Sequence, residues 1–319
     1  MRGKTVRGGF AVLWIALSLI FAVLVLFFLW HRGADIVPSE ELPPSLPRIA
    51  EYSVFDGAKP VSAETPFPAP APEIAAKTAR SEVGEIVAEE EGLTVYRLTG
   101  KVYRGFLAVI DDPLRLRVGC SGAFTYGGHG KLLHDIADAE GAVLSVNGGG
   151  FSDDGGGGLG GEPVGNVYSD GKALWSGYAD SVGMDAGGVL HSHFFTQSEC
   201  EELGIQWALS YGPTLVLDGE AQEVDDTLTD ARTAVGQRAD GTVLLICVQG
   251  RQASSLGISY KEMAELMVSL GAVTAANLDG GASSDMYYRG EYLNPSNGAA
   301  GPRPIPTILM VMPAGEVTE

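Results

Sequence analysis

The chain is 319 residues long, carries a formal net charge of −19 and contains 44 glycines. That length suits one core with accessory segments, and so much glycine calls for many tight turns or close backbone approaches. With no basic run beyond the first seven residues, nucleic acid is excluded as a partner, and an anionic substrate has to be met by a few locally placed arginines.

Phe10 to Trp30 is an apolar run whose one polar side chain is Ser18. Its 21 residues suffice to cross ~30 Å of hydrocarbon. Arg2, Lys4 and Arg7 precede it, which predicts a cytoplasmic stub at 1–9, one transmembrane helix at 10–30 in the cell membrane, and an extracytoplasmic remainder. The run is longer than the ~7–15-residue core of a cleaved signal peptide and ends without a small-x-small site. An uncleaved signal anchor, with the lipid bilayer as its partner, is therefore expected. Residues 31–85 are crowded with proline, including PFPAPAP. Proline removes amide donors and fixes φ, so this segment reads as an extended spacer.

Residues 91–313 read as an α+β domain, a strand-rich mixed sheet with a few packed helices. LTVYRLTG, YRGFLAVI and LRLRVGC are strand-like by β-branched and aromatic content. Asp170-Gly171, Asp218-Gly219 and Asp240-Gly241 supply the positive φ angles of tight hairpins. A helix is predicted over 131–140, with Leu132, Leu133, Ile136 and Ala137 inward and Gly141 as its stop. Ser259 and Glu262 form a capping box ahead of a second helix. Met263, Leu266, Met267 and Leu270 share one face of it, and Gly271 ends it.

The two helices lead into similar segments. Gly141-Ala-Val runs on to Asn147-Gly-Gly-Gly, and Gly271-Ala-Val runs on to Asn277-Leu-Asp279-Gly-Gly, 130 residues later. A diverged duplication and two convergent helix-to-strand units both fit. Either way, two apolar strands end in asparagine and glycine, where α/β sites commonly sit.

Cys120, Cys200 and Cys247 are odd in number and form no CxxC pair. A bridge between Cys120 and Cys200 stays open; Cys247, within TVLLICV, reads as a buried small hydrophobe.

Among motifs, Asn277 to Ser284 is the strongest. A hydrophobic strand delivers the Asp279 carboxylate beside an amide; Gly280 and Gly281 let a ligand approach the backbone, and Ser283 and Ser284 add hydroxyls. A polar turn in which Asp279 caps amides is the plainer alternative. Asn147-Gly148-Gly-Gly-Phe151 is the second, against a ligand-free glycine loop. Asp153 and Asp154 leave room for a structural divalent cation, without a full ligand set. Gly155, Gly157 and Gly160 match GxGxxG by spacing but lead into Gly161-Glu162-Pro163 and a hairpin, which excludes a dinucleotide site. Arg232-Thr233 and Gln249-Gly250-Arg251 border strand-like runs. Arginine grips phosphate or carboxylate with a fork of donors, although surface ion pairing is the commoner use. His191 and His193 point one way on a strand with no carboxylate or cysteine cluster to complete a metal set. No GxSxG elbow, HExxH helix or GxxxxGK loop occurs.

Taken in order, Asn147 to Phe151, Gly165 to Gly171, Tyr211 to Gly219, Ala231 to Gly236, Gln249 to Gln252 and Asn277 to Ser284 resemble the phosphodiester glycosidase family. Three departures bear on substrate fit. A third glycine replaces the first Phe of the usual Asn-Gly-Gly-Phe-Phe, Gln249 stands where the family often has Asp, and the loop at 155–161 is longer and richer in glycine. The resemblance implies cleavage between the anomeric carbon of an N-acetylglucosamine-like sugar and a phosphodiester oxygen, in an envelope or exopolysaccharide glycan. A phosphate leaving group needs little protonation, so no demanding acid is required. Under this resemblance Asp279 is base or nucleophile and Glu162 a second carboxylate. Arg232 and Arg251 hold phosphate. Asn147, Gly148, Thr233, Asn277, Gly280, Gly281, Ser283 and Ser284 complete substrate binding, with no cofactor. The alternative is a non-catalytic cell-envelope module that binds a glycan.

Overall fold

The computed structural model describes residues 81–153, 159–224, 228–294 and 301–315. The predicted transmembrane segment at 10–30 and nearly all of the spacer lie outside them. Among the described residues, no helix is long and apolar enough to cross a membrane.

The chain runs β1 (Val83–Glu90), β2 (Leu93–Thr99), β3 (Arg104–Ile110), β4 (Leu116–Cys120), α1 (Leu133–Glu140) and β5 (Leu144–Asn147). Next come β6 (Val167–Ser169), β7 (Lys172–Trp175), β8 (Ser181–Asp185), β9 (Leu190–His193), α2 (Gln197–Leu203) and β10 (Ile205–Ser210). The chain continues through β11 (Thr214–Leu217), β12 (Glu220–Ala221), β13 (Arg232–Arg238), β14 (Val243–Val248), α3 (Tyr260–Ser269) and β15 (Ala272–Asn277). The last are β16 (Met286–Tyr288), β17 (Glu291–Tyr292) and β18 (Thr307–Val311). An eight-stranded sheet has the order β1-β2-β3-β14-β13-β15-β11-β12. Two five-stranded sheets have the orders β7-β6-β10-β8-β9 and β17-β16-β5-β18-β4.

The strand-rich α+β expectation matches this, but the sheets are not mixed. Adjacent strands among the described residues pair antiparallel, including β13 with both β14 and β15, and β18 with both β4 and β5. The reason lies in the crossovers. β14 passes through α3 to β15, and β4 passes through α1 to β5, but each crossover skips one position. The skipped position is filled by an antiparallel strand, β13 in one case and β18 in the other. The strands joined by each helix run parallel without touching. The two units recognised 130 residues apart thus share one topology.

Alternation along the strands separates the cores. Phe106, Ala108, Val243, Leu245 and Cys247 face a central core with Leu144, Val146, Trp207 and Leu309 from the smaller sheets. Leu107, Val109, Leu244 and Ile246 face the other way, onto Met263, Leu266 and Met267 of α3. All six residues of β14 are consequently buried. α1 covers the outer face of β5 and β18 through Leu133, Ile136 and Ala137. α2 covers Tyr168, Ile205 and Ala208 with Cys200. All three cysteines are free, so no Cys120–Cys200 bridge forms.

Local signals set the element ends. Ser259 and Glu262 make both bonds of the capping box, with the Ser259 hydroxyl accepting from the Glu262 amide at 3.2 Å. Asp170-Gly171 and Asp218-Gly219 have positive φ at both positions, the form a two-residue hairpin needs. α1 starts at Leu133 because Lys131 forms a bridge with Ile305 instead. Several elements escape the sequence reading, β1 and α2 among them. β1 starts at Val83, ahead of Glu91, as an acidic edge strand with no fully buried residue. α2 is short and acidic, with Cys200 its one buried side chain.

Candidate active site

β5 and β15 end side by side in the interior. Asn147 is registered opposite Ile308 and Asn277 opposite Ala234, and Asp279 follows Asn277 by two residues. The residue after each asparagine bonds to a threonine of the inserted strand: the Gly148 amide donates to the Thr307 carbonyl at 3.0 Å, and the Leu278 amide to the Thr233 carbonyl at 2.8 Å. The two ends then clasp each other. The Asn147 side-chain amide donates to the Asp279 carbonyl at 2.7 Å, and the Asp279 amide donates to the Gly148 carbonyl at 3.1 Å.

This clasp changes the roles expected of several residues. Asn147 is fully buried, and its side-chain oxygen accepts from the Thr233 hydroxyl at 2.6 Å and the Asp285 amide at 3.3 Å. Asn277 is 1% exposed and donates to the Gly212 carbonyl at 2.9 Å. Thr233 and Ser284 are fully buried. Asn147, Gly148, Thr233, Asn277 and Ser284 are therefore a buried frame beneath the loop and are not among the residues that line the cleft above it. Behind them, Asp285 is buried, with the Asn294 amide donating to its carboxyl at 3.3 Å. Burial pushes its pKa up to about 7.

Above the frame lies a cleft of about 390 Å³. Three carboxylates (Asp153, Asp230, Asp279) and three arginines (Arg232, Arg251, Arg303) line it with Phe151, Tyr211 and the Gly280–Ala282 segment. Arg251 grips Asp230 with both arms, Nε to Oδ1 at 2.8 Å and Nη2 to Oδ2 at 2.7 Å. Arg303 meets Asp153 at 2.7 Å and lies over the Phe151 ring at 4.6 Å. Arg232, at the head of β13, sits 3.7 Å from the centre of the Tyr260 ring. Gly281 has φ +60, and a Cβ there would meet Arg251 Nη2 at 2.6 Å. A side chain at 281 would thus be strained by its conformation and would displace the Arg251 guanidinium.

Asp279 and Asp230 differ in how tightly they hold a proton. Burial raises the Asp279 pKa to about 6; the Ser283 hydroxyl, the Gly280 amide and Arg303 offset part of this, and Asp153 adds to it. For Asp230 burial acts in the same upward sense, but the Arg251 fork and the Ala231 amide outweigh it and hold the carboxyl below its usual value. One carboxyl poised near neutrality beside another held ionised is the environment-driven division of labour that acid–base sites use.

Glu162, the expected second carboxylate, is not part of the cleft lining. Its carboxylate accepts from the Gly127 amide at 2.8 Å. Asp153, Asp230 and Arg303 take the places that sequence reasoning left empty. Asp230 directly precedes Ala231-Arg232, and Arg303 stands in Pro-Arg-Pro before an apolar strand; those neighbours were the available signals. His191 bonds Asp185 at 2.9 Å, and His193 packs on Phe195 at 4.1 Å. Among the described residues no group of three His, Cys, Asp or Glu side chains is placed to hold a metal. Asp153 is paired with Arg303, while Asp154, Gly155 and Gly157 lie outside the described residues.

Residues 140–312 match the sequence profile of the phosphodiester glycosidase family. Mouse N-acetylglucosamine-1-phosphodiester alpha-N-acetylglucosaminidase is 28% identical over 223 residues, covering 61% of this chain and 42% of that protein. The uncharacterized SPbeta prophage-derived protein YomE of Bacillus subtilis (strain 168) is 36% identical over 97 residues, 28% of this chain and 15% of its own. The chain thus spans less than half the length of these relatives. Among solved structures, the zebrafish N-acetylglucosamine-1-phosphodiester alpha-N-acetylglucosaminidase catalytic domain, auto-inhibited by its pro-peptide, aligns with a TM-score of 0.59 at 22% identity. The alignment covers 72% of this chain and 87% of that one.

Proposed function

We propose that this chain, which belongs to the phosphodiester glycosidase family, hydrolyses the bond between a sugar's anomeric carbon and a phosphodiester oxygen. The sugar is N-acetylglucosamine-like and part of an envelope or exopolysaccharide glycan. The observation that carries this reading is the cleft itself, where Asp279 lies among Arg232, Arg251 and Arg303, with Arg251 held by Asp230 and Arg303 by Asp153.

Those groups suit the chemistry. The phosphate is a good leaving group, so the site needs a base or nucleophile more than an acid. Asp279 in its ionised form takes that part. Arg232, Arg251 and Arg303 hold the phosphate oxygens as charge develops on them. Asp153 and Asp230 keep Arg303 and Arg251 aimed into the cleft before substrate arrives, which lowers the cost of orienting them. The amides of Gly280 and Gly281, expected to meet sugar hydroxyls, are already engaged, the first donating to the Asp279 carboxyl and the second to the Ala231 carbonyl, each at 2.8 Å. The predicted anchor at 10–30 would hold this chemistry at the outer face of a membrane.

The test is turnover of a sugar-1-phosphodiester by the detergent-solubilised full chain and by Asp279→Asn. Release of free sugar by the parent and its loss in the variant is the expected result. Retention of ligand with no product by the parent would instead assign the chain to glycan binding.

A further inference from the structure

We propose that exposed aromatic rings beside the cleft form a second subsite, for the uncharged oligosaccharide that carries the phosphodiester; this rests on the hydrolase reading above. Tyr178 is 89% exposed and Tyr126 is 84% exposed. Isolated exposed apolar groups are ordinary, but these two are each backed by a second ring. Tyr178 lies 4.1 Å from Phe194, and Tyr126 lies 5.1 Å from Trp175. A ring already held by another ring loses little rotamer freedom when a ligand covers it.

Both pairs are joined to the cleft wall by hydrogen bonds, the Tyr178 pair through the backbone and the Tyr126 pair through Glu162. Tyr211 lines the cleft, and its amide donates to the Asp180 carbonyl at 3.1 Å. Tyr178 stands two residues before Asp180, at most about 7 Å of extended chain. Glu162 in turn ties the Tyr126 loop down. Its carboxylate takes the Gly127 amide at 2.8 Å, and its carbonyl takes the Ser152 amide at 2.9 Å. Ser152 lies between Phe151 and Asp153, both in the cleft wall. Glu162 therefore positions an aromatic rim, a use for this carboxylate that the cleft chemistry does not supply.

The chemistry of the rim selects its occupant. A pyranose presents a C–H face and a border of hydroxyls. A tyrosine ring presents an apolar face and one hydroxyl tip, so the two match face to face and edge to edge. The rings carry no charge, and the net charge of −19 disfavours an anionic polymer along the rim. The substrate's negative charge is met at the arginines, and its neutral sugars continue outward over the aromatics.

The experiment uses the full chain in detergent and two substrates, a small sugar-1-phosphodiester and the same phosphodiester borne on an uncharged oligosaccharide. The parent is expected to prefer the oligosaccharide substrate. In the double variant Tyr126→Ala/Tyr178→Ala, the ratio of kcat/KM between the two substrates is expected to fall about tenfold, the equivalent of two ring contacts. An unchanged ratio overturns the subsite. So does a concentration-dependent assembly of the parent that the double variant abolishes, because the rings then serve self-association. If the parent cleaves neither substrate, the hydrolase reading fails separately. The subsite then stands or falls on calorimetric binding of the phosphodiester-free oligosaccharide, present in the parent and lost in the double variant, or absent from both.

Discussion

The side-chain amide of Asn147 donates to the main-chain carbonyl of Asp279 at 2.7 Å, joining positions 132 residues apart in the chain. The same side chain accepts from Thr233 and from the Asp285 amide. One asparagine therefore fixes the carboxylate loop to two other segments without touching the cleft.

Replacing it separates stability from catalysis. Asn147→Ala leaves a buried hydroxyl, an amide and a carbonyl without this partner and should cost about 2–5 kcal/mol in denaturant unfolding. Asn147→Asp still accepts from Thr233 but cannot donate to Asp279 when ionised. It should lower kcat more than it raises KM, since the loop that carries the base shifts while the arginines stay in place.

Asp279 governs the pH profile. Its pKa is raised to about 6 by burial, and the ionised form is the active one. kcat/KM should fall as pH drops through about 6. Asp279→Asn should lose about 100-fold or more in kcat. The stability effect has the opposite sign. A carboxyl whose folded pKa lies above its unfolded value destabilises the fold once pH exceeds that unfolded value, near 4, and does so in full above about 6. Thermal unfolding should show Asp279→Asn more stable than the parent at pH 7, with the difference vanishing below about pH 4.

The Asp230–Arg251 fork is solvent-accessible, with the arginine side chain 52% exposed. Such pairs contribute about 0–1 kcal/mol to stability. Asp230→Asn should therefore leave the unfolding midpoint nearly unchanged while raising KM for the phosphodiester about tenfold, because Arg251 loses its preset aim. Arg303→Gln should weaken substrate binding similarly. If both variants bind the phosphodiester as the parent does, the arginines do not hold phosphate.

Asp285 offers a purely structural titration. Its pKa is raised to about 7 by burial, and Asn294 offsets only part of that. Asp285→Asn mimics the neutral form. Its stability gain over the parent should be absent below about pH 4, grow through neutrality, and level off above about 7 at roughly 2–4 kcal/mol. Urea unfolding across pH checks this.

What was legible in the sequence was local. The helix faces of α1 and α3 show in the 3.6-residue spacing of Ile136, Met263 and Met267, and the Ser259 cap shows in its own four residues. The Asn277 to Gly281 segment announces a strand opening into a glycine loop. The identity of the groups facing the cleft was only half visible. Asn147 and Asn277 carry the same letters whether they grip a sugar or a carbonyl, and only the third dimension assigns them to the frame. Asp153, Asp230 and Arg303 come from separate segments and find their partners across them, so no spacing rule links them. The antiparallel sheets were hidden for a like reason. β13 and β18 fill the gaps left by the two crossovers, and neither is encoded in the helix-to-strand pattern that brackets it.

The position of β18 has a consequence for biosynthesis. It is the last strand of the described chain, yet it sits between β5 and β4 with all five residues buried. A nascent chain that has already extruded β4 and β5 carries two strand edges with nothing between them, and such edges are aggregation templates. The small sheet cannot close, nor the loop at Gly148 find Thr307, until residues 307–311 have left the ribosome. A ribosome-stalled chain ending before Thr307 should therefore depend on a holdase chaperone, and catalytic competence should arrive abruptly with the final strand.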